Sequence, residues 1–300
     1  MHNYHFHHAQ DLEDVLQVLE THGGRARILA GGTDLVPQLK QKKVRPDILV
    51  DVGKINELNR NSQTADSLFL GTLTRISELA EDSCSTTSVR SFLAQAARQL
   101  GSPQVRNRAT LGGNVANASP AADMVAVLMA LGARVHIMDS HGNTKRMPID
   151  GFFLGPGKTA LREKEIITGF EIPMSSNVWA GHFSKLAWRQ GMDLAIVNCA
   201  VYMESSPKST HCAIARIILG AVAPTLLDLK EAVFLETVDL MAQQEVLRET
   251  ENISDAVGRA ISPISDQRSS AEYRRITAPT LVSRGIRETV ARLTARFKEK

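Results

Sequence analysis

The sequence predicts an α+β chain of about two domains, and three observations carry that expectation. Its 300 residues exceed the usual size of one domain and can bury roughly three quarters of the unfolded surface. The first fifty or so residues join short apolar runs to a helical pattern, as a small α/β unit does. From about residue 177, three strand-like runs come first and helical stretches follow, the order of an α+β domain.

Each element has its own warrant. "MHNYHFHHAQ" reads as a half-exposed first strand. Asp11 then precedes "LEDVLQVLE", which puts Leu12, Val15, Leu16 and Leu19 on one helical face, with Asp11 as cap and Gly23-Gly24 as stop. "RARILAGGTDL" gives a short buried strand at 27–30, a glycine turn and a new helix, and "DILVDV" (47–52) is a second apolar run after Pro46. From "SLFLGTLT" (67–74) the pattern changes. A helix is expected around 87–100 and another at about 121–131, then strands at "ARVHIMD" and "EIITGFEIP", the latter ending near Pro173. "HFSKLAWR", "AIVNCAVYME" and "IARIILGAV" are the three later strand-like runs. Helices are expected around 224–235, 239–260 and 270–297.

Composition excludes several classes. Hydrophobic residues make up 43% and charged residues 22%, which fits an ordinary globular chain and neither disorder nor a fibrous repeat. Thirty-five basic against 32 acidic residues, without a run of one sign, do not make a nucleic-acid surface. Cys84, Cys199 and Cys212 are odd in number and far apart, so a disulfide framework or CxxC metal site is not supported, and reduced thiols in a cytoplasmic protein are expected. No signal sequence and no membrane span are expected, since no run of about 18 apolar residues occurs. His2, His5, His7 and His8 lack a carboxylate or cysteine at ligand spacing, so no metal site is expected there.

Two stretches carry the functional question: "LAGGTDL" (29–35) and "TLGGNVANASPAAD" (110–123). Each reads as a strand, two glycines, a small polar residue and a helix. Successive residues without Cβ let backbone N–H groups converge on an anion, and a helix start adds its positive end. Thr33, Asn114 and Ser119 could add donors, and two such nests would suit a pyrophosphate; a pair of plain turns is the alternative. Asp123 could cap the next helix or accept hydrogen bonds from a ribose. "GPGKT" (155–159) fails as a P-loop because the first glycine of that motif would fall on Phe152. As a Rossmann fingerprint it is weakened by Pro156, which lacks a backbone donor, so the stretch reads as an ordered loop. Lys185 lies mid-strand, where the pattern favours exposure over contact with an anionic or electron-rich ligand.

"ILAGGTDL", "RNRATLGGNVANASPAAD", "FFLGPGKTALREKEIITGFEIP", "KLAWRQGMDLAIV", "ARIILGAVAPT" and "ISPISDQRSSAEYRR" together resemble, in order, the blocks of one family. It is the FAD-binding medium subunits of molybdenum hydroxylases, the group of xanthine dehydrogenase and carbon monoxide dehydrogenase. The resemblance spans nearly the whole chain. It implies a two-lobed FAD-binding domain of the vanillyl-alcohol-oxidase (PCMH) type over 1–176, with lobes of about 1–55 and 56–176. A smaller α+β domain like the carbon monoxide dehydrogenase flavoprotein C-terminal domain would occupy 177–300. Carried over by position, the FAD contacts would be Ile28, Leu29, Ala30, Gly31, Gly32, Thr33, Asp34 and Leu35, then Thr110, Leu111, Gly112, Gly113 and Asn114, with Asp123 beyond. Leu100 and Ile167 would also touch the cofactor, and Lys185 would lie near the flavin. In some relatives an aromatic residue stands at the position of Leu100.

The implied activity is electron relay by an oxidoreductase subunit. A molybdopterin-binding large subunit would hydroxylate the substrate, and electrons would pass through two [2Fe-2S] clusters of a small subunit to FAD and on to NAD+ or another acceptor. The resemblance suggests a heterotrimer doubled by symmetry. With three scattered cysteines the chain should lack the extra iron-sulfur cluster that the 4-hydroxybenzoyl-CoA reductase branch of this family carries in this subunit. No residue here is expected to be catalytic in bond cleavage. The alternatives are a self-contained FAD oxidoreductase, which 5% aromatics disfavour, and a flavin-free scaffold subunit, which intact glycines in both segments disfavour.

Overall fold

Apolar runs such as 48–51, 165–173 and 197–205 become strands in the computed structural model, which describes residues 3–81, 88–189, 191–230 and 238–298. In chain order the strands are β1 His5–His8, β2 Ala26–Leu29, β3 Ile48–Asp51, β4 Asn61–Gln63, β5 Ser67–Gly71, β6 Arg134–Asp139 and β7 Thr144–Pro148. They continue with β8 Phe153–Gly155, β9 Lys158–Thr159, β10 Glu165–Pro173, β11 Val178–Leu186, β12 Val197–Ser205, β13 Ile214–Gly220 and β14 Leu227–Asp228. The helices are α1 Leu12–His22, α2 Leu35–Lys40, α3 Ile76–Glu81, α4 Val89–Gln99, α5 Pro103–Arg106, α6 Leu111–Ala116, α7 Asp123–Ala130, α8 Gln243–Ala260 and α9 Ala271–Lys298. Two units result. The first comprises Met1–Leu79, Ser102–Ala118 and Gly132–Pro173; the second comprises Ala80–Gly101, Ser119–Leu131 and Met174–Lys300. No described helix is long and apolar enough to cross a membrane.

In the first unit, β1, β3 and β2 form a parallel sheet in that order, joined by helical crossovers as parallel pairing requires. Asp11 caps α1 by accepting from the Asp14 N–H, and Gly23 ends it at φ +49°. The apolar face of α1, Val15, Leu16 and Leu19, joins Ile48, Val50, Val52, Ile55 and Leu58 in one core. An antiparallel sheet runs β4-β5-β10-β6-β7, and a bulge between Ile167 and Gly169 interrupts the pairing of β10 with β6. A Cβ on Gly169 would lie 2.3 Å from the Phe69 ring, so glycine is needed there. "GPGKT", expected as an ordered loop, is the tip of the β8-β9 hairpin, with Gly157 at φ +68°.

The second unit holds the antiparallel sheet β11-β12-β13-β14. Along β12 side chains alternate: Val197, Cys199, Val201 and Met203 join a core with α9 residues Val282, Ile286 and Leu293, while Asn198 points the other way, to α7. Helices on both faces leave every residue of β12 buried. Cys199 and Cys212 are buried thiols, burial pushing the former up to about 12; Cys84 lies outside the described residues. Three side chains occupy the outer edge of β11. Gln95 Oε1 accepts from the Phe183 N–H at 3.1 Å, Arg292 donates to the Gly181 carbonyl at 2.7 Å, and Arg296 donates to that of Trp179. Those groups deny the edge to another chain. The helix expected at 224–235 is not seen over its described part: Leu227–Asp228 pair with β13 instead, and 231–235 lie outside the described residues.

His182 on β11 has Arg284, Glu288 and Arg292 of α9 around it and a buried Nδ1 with no partner. Burial first, and Arg292 next, push its pKa down to about 4, Glu288 opposing. The unfolded chain therefore takes up a proton near pH 6.5 that the folded chain refuses until about 4. Stability should fall as pH falls through that window, by somewhat less than about 1.4 kcal/mol per pH unit because the ring keeps some access to water. Urea unfolding at pH 6.5, 5.5 and 4.5 should show this slope, and His182→Gln should flatten it; an equal slope in the variant would contradict the buried neutral ring.

Candidate functional site

The chain leaves the carboxyl end of β2 through Ala30, Gly31, Gly32, Thr33 and Asp34 and enters α2 at Leu35. Ile28 and Ala30 are half-buried against the core, and Leu29 beside them is half-buried. Gly32 sits at φ +74°, a left-handed conformation that favours glycine. Gly31 serves another need. A Cβ there would lie 2.1 Å from the Arg108 carbonyl oxygen and 3.0 Å from the Ala109 Cα, so the first glycine segment packs backbone to backbone against the chain leading into the second. Among the described residues no acceptor takes the backbone N–H of Gly31, Gly32, Thr33 or Asp34. Four successive unclaimed donors, at the carboxyl end of a parallel sheet and the start of a helix, suit an anion.

The second segment departs from the expected strand–turn–helix pattern. The helical turn α5 precedes it, and both glycines lie inside α6. The N–H groups of Leu111 and Gly112 donate to the carbonyls of Thr74 and Thr72, and those of Gly113 and Asn114 go to the Thr110 hydroxyl and carbonyl. Its backbone donors are thus used within the fold, and the second nest is not formed. Gly112 is required by packing, since a Cβ would fall 1.7 Å from the Thr72 hydroxyl oxygen. Gly113 is different: it is exposed, and its Cβ would meet only Thr110 Oγ1, at 3.0 Å. Asn114 Oδ1 is buried with no partner. This segment offers exposed backbone at Gly113, beside the buried Thr110 hydroxyl that caps it and the buried, unpartnered Asn114 Oδ1.

In the second unit, Asp123 and Lys185 meet 62 residues apart in sequence. Lys185 Nζ lies 2.6 Å from Asp123 Oδ2 and 3.0 Å from the Gln99 carbonyl, next to Leu100, the C-cap of α4. Both charged side chains are about 95% buried, against the exposure that the strand pattern favours for Lys185. Asn198 Nδ2 donates to the other Asp123 oxygen at 2.8 Å. Burial pushes the Asp123 carboxyl above its ordinary range, and Lys185 and Asn198 pull against it. Asp123 therefore does not cap its helix; Ala122 is the N-cap, and the carboxylate anchors an ion pair. Asn198 has no signal in the sequence, where it is one polar residue inside an apolar strand.

Ile167, the remaining expected contact, is buried on β10 beside the bulge, one residue from Thr168, whose carbonyl accepts from Thr72. Of the first strand's histidines, His7 bonds Asp14 at 2.9 Å and His8 lies 3.3 Å from Asp51. Among the described residues no group of three or more metal-ligating side chains comes together.

The model of the family described as "FAD binding domain in molybdopterin dehydrogenase" matches residues 2–175, and that of the carbon monoxide dehydrogenase flavoprotein C-terminal domain matches 182–289. The xanthine dehydrogenase FAD-binding subunit of Escherichia coli O157:H7 is 32% identical over 291 residues, 95% of this chain and 96% of that one. The carbon monoxide dehydrogenase medium chain of Hydrogenophaga pseudoflava is 29% identical over 293 residues, 96% and 98% of the two chains. Among solved structures, carbon monoxide dehydrogenase from Hydrogenophaga pseudoflava superposes with a TM-score of 0.87 at 29% identity, covering 97% of this chain and 98% of that chain. Quinoline 2-oxidoreductase from Pseudomonas putida 86 gives 0.85 at 29% identity with the same coverage. The chain therefore belongs to the FAD-binding medium subunits of molybdenum hydroxylases of the xanthine dehydrogenase and carbon monoxide dehydrogenase type, and it is the FAD subunit of a multi-subunit oxidoreductase.

Proposed function

We propose that this subunit passes electrons from the [2Fe-2S] clusters of a small partner subunit, through FAD, to NAD+ or another acceptor. A molybdopterin-binding large subunit carries the substrate site in this reading, and the complex works in the cytoplasm. FAD, when bound, supplies the exchange of single electrons on one side and of electron pairs on the other. Residues 1–176 form the FAD-binding segment, in lobes of about 1–55 and 56–176, and 177–300 form the C-terminal one.

The observation that carries the reading is the run of four N–H groups from Gly31 to Asp34 with no acceptor among the described residues. They hold the pyrophosphate, with Ile28, Leu29, Ala30 and Leu35 forming the turn's walls. Thr110, Gly113 and Asn114 complete this surface, and Leu111 and Gly112 fix them to the carbonyls of Thr74 and Thr72. The residues fit the group: successive N–H donors stand unclaimed at the end of β2, and the exposed backbone of Gly113 leaves room for a ligand. Leu100, Asp123, Ile167 and Lys185 are cofactor positions on the strength of the family resemblance.

The visible spectrum of the purified chain, with mass analysis of what heat releases, should show one FAD per chain. Gly113→Val should retain the fold, because the position is exposed and an added Cβ would meet only Thr110 Oγ1, yet lose the flavin bands. Stoichiometric FAD in Gly113→Val would sink the pyrophosphate assignment, and a colourless wild-type chain that takes up no added FAD would sink the function.

A further inference from the structure

We infer that Asn198 is a positioning residue: it fixes the Asp123 carboxylate, and through it the Lys185 ammonium, so that Lys185 keeps one N–H for the cofactor. The inference rests on the reading of Asp123 and Lys185 as cofactor residues. Its ground is an accounting of donors and acceptors. Lys185 Nζ carries three N–H groups, of which one is directed to Asp123 Oδ2 and one to the Gln99 carbonyl; the third has no partner among the described residues. Asp123 offers two oxygens, and Asn198 Nδ2 occupies the one that Lys185 leaves. With both oxygens engaged from different elements, β11 and β12, the carboxylate has no freedom to turn, and neither has the ammonium.

Asn198 is ill suited to its place on packing grounds alone. It is fully buried on the central strand β12, and its Oδ1 finds no donor. That oxygen presses on Gly220, where a Cβ would lie 2.2 Å away. A buried acceptor without a partner destabilises a fold, and a leucine would fill a similar volume without one. The second bond of Nδ2, to the Ala121 carbonyl, is 3.3 Å long and weak. The short bond to Asp123 is what an amide adds here. An amide also donates without carrying a charge or titrating, so it supports the ion pair without competing for either member.

The test compares Asn198→Leu with the neutral double variant Asp123→Asn/Lys185→Met, both in the full chain. The readouts are the FAD dissociation constant, the flavin midpoint potential and thermal stability. Asn198→Leu leaves Asp123 Oδ1 without its donor, so it should melt below wild type, bind FAD about tenfold more weakly, and move the potential in the same direction as the double variant by a smaller step. If the double variant changes affinity and potential while Asn198→Leu changes neither, the positioning role is overturned. If the double variant itself matches wild type, it is the assignment of Asp123 and Lys185 to the cofactor that fails. Asn198→Ala removes the amide without adding volume and gives the same comparison should the leucine disrupt folding.

Discussion

Gly31→Ala should destabilise the first unit by about 3 kcal/mol and strip the chain of FAD together with its stability. The added methyl would lie 2.1 Å from the Arg108 carbonyl oxygen, 2.8 Å from the carbon behind it and 3.0 Å from the Ala109 Cα. All three are backbone atoms, so no rotamer change relieves the clash. Nor is the facing chain free to withdraw. Ala109 donates to the Val105 carbonyl at 2.7 Å and accepts from the Ile76 N–H at 3.0 Å, and Arg75 holds the Asn107 carbonyl at 3.1 Å. Gly31 does not have a left-handed φ, so the effect measures contact alone, unlike Gly32, where alanine would add backbone strain of about 1 kcal/mol. The melting temperature should drop by roughly 5–10 °C. Gly113→Val, which should lose FAD without losing stability if the proposed site is right, is the contrasting variant. A Gly31→Ala chain that melts like wild type would show that the two stretches of backbone do not meet at this point.

What was legible in the sequence depended on how local its cause was. The helix α1 announced itself through Asp11, the spacing of Val15, Leu16 and Leu19, and Gly23, all within one short stretch. The FAD fold and the family were legible because the glycine blocks stand in fixed order along the chain. The interior of those blocks was not. Adjacent glycines argue for a turn, and Gly112-Gly113 became helical only because Thr72 and Thr74, some forty residues earlier, accept the N–H groups of the first turn. Residues 224–235 have helical spacing, but Leu227–Asp228 answer to β13 instead. The exposed strand Thr144–Pro148 has no apolar alternation because it lies at a sheet edge. Burial of Lys185 was hidden for a related reason: its partner Asp123 lies on a helix 62 residues away, and ion pairing across such a distance leaves no periodic trace.

Arg274→Leu should cost the second unit about 3 kcal/mol at pH 7, although leucine is apolar and the site is interior. Arg274 is 2% exposed, and its guanidinium bonds Asp266 Oδ1 at 2.7 Å and the Ala221 carbonyl at 3.2 Å. Ala221 is held at φ +64°, a conformation that disfavours alanine, and its N–H donates to the Pro120 carbonyl at 2.7 Å. Removing Arg274 takes a donor from this strained turn and one of two cations from Asp266, leaving Arg268 at 2.5 Å. Burial pushes the Asp266 carboxyl up, but Arg268, its backbone N–H and Arg274 outweigh it and hold the group well below the usual carboxylate range. Because the folded form is the weaker proton binder, this contribution is present above about pH 4 and disappears as pH falls toward the folded value. The stability gap between wild type and Arg274→Leu should therefore narrow between pH 5 and 3 in urea unfolding. A gap of equal size at both pH values would mean that Arg274 acts by filling space. The double-mutant cycle with Asp266→Asn separates the two, since only an electrostatic role gives a coupling energy that shrinks in acid.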